Sequence, residues 1–263
     1  MDRNRIRILV ALLCIAILFL SSIILPGIFL DWGIVPPVIH TPDGFIVMKT
    51  AVPETPHDVG IYEGTIWNES PHYLNLGTSG PDPISAEAAP SVAQSVLERC
   101  CGGVPPDAEP PVSSTDFGGI IKTDTGEVLK KIPEETDVLY YRKINGCPVI
   151  GNGNQIAVVF KGEGAVTIYE RWSSLRNSGK NATLITPAQA LKKMSVEGIP
   201  NLPMGFRFGV MIENVSLGYY GQISSGDNIE FIPVWIFQEK MFSGDSWEMA
   251  VSAQEEPSGT INV

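Results

Sequence analysis

Three glycines and three asparagines crowd the stretch from Ile144 to Phe160, INGCPVIGNGNQIAVVF. A glycine-rich run of this kind could cradle a phosphate or a dinucleotide, but the spacing argues otherwise. A dinucleotide fingerprint needs a third glycine three residues after the second, with a helix behind it. After Gly151 and Gly153, position 156 is Ile and a β-branched run follows. The G-K-[ST] of a phosphate loop is absent as well. These glycines therefore read as turn residues that supply positive backbone angles.

Other reactive patterns are missing too. Neither G-x-S-x-G, H-E-x-x-H nor S-x-x-K with its companion motifs occurs. His40, His57 and His72 fall in an irregular segment, and the acid pairs Glu134-Glu135 and Glu255-Glu256 sit in turn-like or tail positions. We expect no enzyme, no catalytic residue and no cofactor. Cys100 and Cys101 followed by a distant Cys147 match no zinc spacing, and the histidines lie upstream, so no metal site is expected. In an oxidising setting one of the neighbouring pair could bridge Cys147, or the two could bridge each other. Asn68, Asn181 and Asn214 each begin an N-x-[ST] glycan acceptor. Aromatic residues remain as candidates for recognition. The adjacent pairs Tyr140-Tyr141 and Tyr219-Tyr220 must place one ring on each face of a strand, which makes Tyr141 and Tyr220 candidate partner contacts.

The elements that would position these residues begin with an apolar run. Ile8 to Leu25, ILVALLCIAILFLSSIIL, is long enough to span a bilayer. Arg3, Arg5 and Arg7 precede it and Asp31, Asp43, Glu54 and Asp58 follow, which predicts a cytoplasmic tail over 1–7, a transmembrane helix over 8–30 and an outward C-terminal domain. A cleaved signal is the competing reading, against which stand the length of the apolar core and the lack of an A-x-A site. The formal charge is −11 and, with the three arginines against Asp2 leaving +2 in residues 1–30, the rest carries −13. Such a surface repels nucleic acid and favours cations or basic partners.

From 31 to 83 the chain is rich in Pro, Gly, Asn and His and reads as a stalk or irregular segment with scattered local pairing. ISAEAAPSVAQSVLERCCGG then predicts a helix ending near Cys101, with Pro90 at its first position or kinking a helix begun near Ser85. Strand-like runs follow, GEVLKKI, DVLYYRKI, QIAVVF and AVTIYERW, with turns at Asn145-Gly146 and Gly162-Glu163-Gly164. Thr186, Pro187 and Gln189 form a capping-box start for a second helix, and FRFGVMIENVSLGYYG, IEFIPVWIFQEKM and SWEMAVSA read as strands. In the first of these the alternation slips near Asn214, predicting an extra residue there. The expected fold is α+β, a duplicated helix-then-strands unit over 84–180 and 181–252 with a tail over 253–263.

The runs VLYYRKINGCPVIGNGNQIAVVFKGEGAVTIYERW, LITPAQAL, VSLGYYG and FIPVWIFQ resemble the extracellular, duplicated form of the PepSY-like fold, over about Ile84 to Met241. Similar patterns occur in membrane-anchored accessory proteins that regulate bacterial cell-wall sensor kinases, and in pro-regions of thermolysin-like metallopeptidases. The resemblance implies a non-catalytic regulator that binds another envelope protein such as a sensor kinase or protease. A protease inhibitor acting in trans and a small-ligand or cation sensor are the alternatives. The matching positions, Gly146, Pro148, Val149, Ala190 and Pro233, are structural, so no functional residue follows from it. The departures are the proline-rich segment Pro105 to Pro111 and the Cys100-Cys101 pair.

Overall fold

The computed structural model describes residues 38–41, 44–66, 71–77, 80–121, 128–197, 210–241 and 246–255. The expected α+β architecture is corrected by it. Among the described residues the chain is mostly β, 62% strand with two short helices, and the larger of its two sheets mixes parallel with antiparallel pairs, which also overturns the duplicated PepSY-like unit. The physical reason is strand length. Segments that read as short runs continue through their irregularities into strands of 14 and 16 residues, whereas the two helices have 12 and 11. The segment read as a stalk supplies four strands, β1 (Val38–Thr41), β2 (Gly44–Met48), β3 (Asp58–Thr65) and β4 (His72–Asn75). The transmembrane helix expected over 8–30 lies outside the described residues, and among the described residues no helix is long and apolar enough to cross a membrane. The membrane-anchored placement, with its inward N-terminus and outward domain, is corrected on that finding.

The chain divides into two compact units, each assembled from separated segments. The larger takes Glu54–Pro187, Ser216–Ile236 and Ala250–Val263. In it α1 (Ala89–Cys100) packs on an antiparallel sheet. The strand order of that sheet is β4, β10 (Ala165–Trp172), β9 (Asn154–Lys161), β6 (Val128–Tyr141) and β5 (Val112–Ile121). Ala89, Ala93, Val96 and Leu97 recur at helical spacing and are buried against Val138, Tyr140, Ile156, Val158, Phe160, Val166, Ile168 and Trp172. These sheet residues alternate along their strands, so one face of the sheet forms the core. Opposite Phe117, β6 carries Pro133; the register shifts there, a bulge that accommodates the proline inside a long strand.

The glycine-rich stretch from Ile144 to Phe160 forms turns between strands. Asn145 and Gly146 both have positive φ, 52° and 81°, in the two-residue turn between β7 (Lys143–Ile144) and β8 (Cys147–Gly151). Beyond it, Gly153 passes its carbonyl to the buried Arg142 guanidinium. That guanidinium also donates to the Ser173 hydroxyl and carbonyl, pairs with Asp107 and stacks on Trp172.

The smaller unit takes Met1–Pro53, Ala188–Val215 and Phe237–Met249. Its described part is built from the β1–β2 hairpin, most of α2 (Pro187–Glu197), the first residues of β12 (Val210–Ser225), the end of β13 (Asn228–Met241) and the start of β14 (Ser246–Ser252). Ile46 to Met48 pair in parallel with Val210 to Ile212. Among the described residues, Ile46, Met48, Ala190, Leu191, Met194, Val210, Ile212, Val215, Phe237 and Met249 are its buried apolar residues. The second helix begins at Pro187, as its capping pattern predicts.

Candidate functional site

The slip in alternation predicted near Asn214 decides what the smaller unit presents. Along β12 Ile212 is buried, Glu213 and Asn214 are both exposed, and Val215 is buried again. Two successive side chains therefore leave the core together. Asn214 Nδ2 donates to Gln238 Oε1 at 3.1 Å, and Gln238 Nε2 donates to Glu248 Oε1 at 3.1 Å, tying β12, β13 and β14 side chain to side chain. Glu213, Gln238, Glu239, Trp247 and Glu248 line a cavity of about 250 Å³.

Glu239 is the anomaly in it. Its neighbour Gln238 is exposed, but Glu239 follows a run of buried residues from Phe231 to Phe237 and is itself only 6% exposed. Its Oε1 meets no hydrogen-bond partner among the described residues. Burial raises its carboxyl from the ordinary 4.5 to about 7, because the charged form loses water and gains nothing in return. A buried acid without a partner costs free energy, and such perturbed groups cluster where proteins bind or react. Three carboxylates converge on one cavity, and no Lys or Arg is among its described lining residues. Trp247, 45% exposed, adds an aromatic surface that attracts cations. At this volume the cavity falls below the roughly 300–1,000 Å³ usual for small-molecule sites. It suits one charged side chain better than a cofactor.

A second acidic group, Asp116, Glu135 and Asp137, brings carboxylate oxygens within 4.8 Å of one another on β5 and β6. Burial raises the Asp137 carboxyl first, then Glu135 and Asp116 raise it further, while Lys161 opposes them. Lys161 already pairs with Glu135 at 3.3 Å, so this group carries its own counter-charge.

The residues singled out from sequence are scattered. Cys100, Cys101 and Cys147 are in no disulfide; the first two pack against the helix-on-sheet core and Cys147 against the separate cluster of Ile144, Val149 and Tyr219. Asn68 lies outside the described residues. Asn181 is exposed in β11 (Arg176–Thr183), and Asn214 stands at the rim of the acidic cavity through its bond to Gln238. Tyr141 and Tyr220 are half-buried, Tyr220 against Ile232, Val234, Ile236 and Ala250, while Tyr140 and Tyr219 face the core. Sequence reasoning missed Glu239, whose one signal is a Glu closing the apolar run FIPVWIF on its inward side.

No protein-family model matches the chain, and no curated protein does. Among solved structures the chain is similar to an uncharacterised protein from Eubacterium rectale ATCC 33656. The two are 9% identical, the match covers 84% of this chain and 92% of that one, and the TM-score is 0.43. That protein being uncharacterised, the likeness brings no activity with it.

Proposed function

We propose that this chain is a non-catalytic binding protein that modulates a partner protein by receiving a basic side chain of that partner in the acidic cavity. Glu239 carries the reading. An unpartnered carboxyl held near neutrality at the wall of a cavity with two further carboxylates and an indole is an arrangement completed by a cation. An entering guanidinium or ammonium would restore the missing hydrogen bonds to Glu239, ionise it, and lie against Trp247. The overall charge of −11 favours approach of a basic surface on the way.

The test is isothermal titration at pH 7 with blocked arginine and lysine (N-acetyl, N′-methylamide), in two buffers of different protonation enthalpy. Binding should release protons as Glu239 ionises, and Glu239→Gln should weaken it at least about tenfold, the worth of one charge-assisted hydrogen bond. Undiminished binding by the Gln variant, or no binding of either probe, would sink the reading. Crosslinking with mass spectrometry then identifies the partner that supplies the residue.

A further inference from the structure

The larger unit holds a cluster that no sequence spacing announces. His72 opens β4, which runs antiparallel to β10 with His72 opposite Ile168 and Leu74 opposite Val166. Ile168 and Val166 face the core, so the period of two turns His72 toward the same face. Glu170, two residues beyond Ile168, shares that face and is a diagonal neighbour of His72, within reach for long side chains. Cys101 comes from a third element. It caps the C-terminus of α1, its N–H donating to the Leu97 carbonyl at 2.8 Å, just before Gly102 turns the chain with φ of +78°. Because α1 lies on this face of the sheet, the helix end delivers the thiol to the strand residues.

One imidazole nitrogen, one sulfur and one carboxylate oxygen thus lie within 4.8 Å of one another, each from a half-buried residue. We propose that His72, Cys101 and Glu170 bind a thiophilic divalent cation of the zinc class. The donor set selects the metal: a thiolate is a poor ligand for Ca²⁺ or Mg²⁺, whereas nitrogen, sulfur and oxygen together suit Zn²⁺. Three protein ligands leave a fourth position for water, as in open zinc sites. Zinc–ligand bonds are about 2.0–2.3 Å, so tetrahedral donors sit closer together than the present limit, and small rotamer changes would close the set. The carbonyl end of α1 adds partial negative charge where the cation would sit. Binding takes the proton from the Cys101 thiol and gives it to solvent, so affinity should rise with pH. The site shares no residue with the acidic cavity, and its fate is independent of the function proposed above.

The experiment titrates the full chain, reduced and metal-free, with Co²⁺ as a spectroscopic stand-in and with Zn²⁺. A saturating near-ultraviolet thiolate-to-cobalt absorption is expected, displaced by Zn²⁺. Cys101→Ser should abolish it and Cys100→Ser should leave it. His72→Gln and Glu170→Gln should lower affinity by more than the roughly 10–100-fold that loss of an outer-sphere partner costs. Zinc at a hundred times its Kd should raise the wild-type Tm by about 5–10 °C, and each ligand variant should lose that rise. This second readout separates lost binding from lost folding. If the three residues serve only to bond the helix end to the sheet, the variants will change Tm equally with and without zinc. That result, or a charge-transfer band that survives Cys101→Ser, would overturn the proposal.

Discussion

Arg142 and Glu239 are both charged side chains withdrawn from water, 2% and 6% exposed, and the protein treats them in opposite ways. Arg142 forms an ion pair with Asp107 at 2.8 Å through Nε, an atom that makes no aligned hydrogen bond, and donates to the Gly153 carbonyl at 3.1 Å and the Ser173 hydroxyl at 2.8 Å through Nη1, and to the Ser173 carbonyl at 2.6 Å through Nη2. Its guanidinium carbon stands 4.4 Å from the centre of the Trp172 ring and 5.6 Å from that of Phe231. Burial lowers its pKa and Asp107 opposes the shift. Among the described residues Glu239 has neither a hydrogen-bond partner for Oε1 nor an ion pair, and burial alone drives its upward shift. The difference separates two uses of buried charge. A cation wrapped by acceptors and rings fixes the strands that supply them, whereas an acid left incomplete retains affinity for something else.

Removing the paired charge should have the largest effect. Arg142→Ala leaves Asp107, the acceptors from Gly153 and Ser173, and a gap between two rings, and a broken buried pair of this kind costs about 3–5 kcal/mol. In urea denaturation the midpoint should fall accordingly with m unchanged. A loss below about 1 kcal/mol would mean that Arg142 is dispensable to the fold, and the contrast with Glu239 would collapse.

The incomplete charge should behave in the reverse sense. Between the ordinary 4.5 and about 7 the folded chain holds the Glu239 proton more firmly than the unfolded chain does. The contribution of Glu239 to stability is therefore complete below about 4.5, falls as pH rises to about 7, and is flat above that. At roughly 1.4 kcal/mol per pH unit the full cost is about 3 kcal/mol. Glu239→Gln should thus be more stable than the wild type at pH 8 by up to that amount, with the gap closing near pH 4. Parallel pH profiles for the two proteins would show that Glu239 titrates as an exposed acid does.

Why Arg142 and Glu239 stayed hidden in the sequence while much around them did not comes down to the range of the forces involved. Local rules located the Asn145-Gly146 turn, the start of the second helix at Pro187 and the change of phase at Glu213 and Asn214, because turn angles, caps and strand period act within a few residues. Class and layout depend on which distant strands pair. The segment over 31–83, rich in turn formers, has little alternation, yet it finds partners in β10, β11, β12 and β13. The three donors at Cys101 come from a helix end and two strands, so they fall outside every metal motif, which records ligands close in sequence. Glu239 is likewise invisible, since a Glu after an apolar run reads as a strand emerging into water.

The smallest effect on stability should come from the residue closest to solvent in the cavity, and for that reason it is the sharpest probe of what the cavity does. Trp247 is 45% exposed, and a surface substitution without special packing changes stability by no more than about 0.5 kcal/mol. If Trp247 is the aromatic wall for a bound cation, Trp247→Ala should cost about 0.5–1 kcal/mol in binding, a two- to fivefold loss of affinity for the blocked arginine probe. Trp247→Phe should fall between the two, because the smaller ring keeps a weaker negative face. A graded order in affinity with level melting temperatures is what recognition through the ring face demands, since packing alone would move both quantities together. Equal affinities across the three proteins would remove Trp247 from the site and leave the cation to the carboxylates alone.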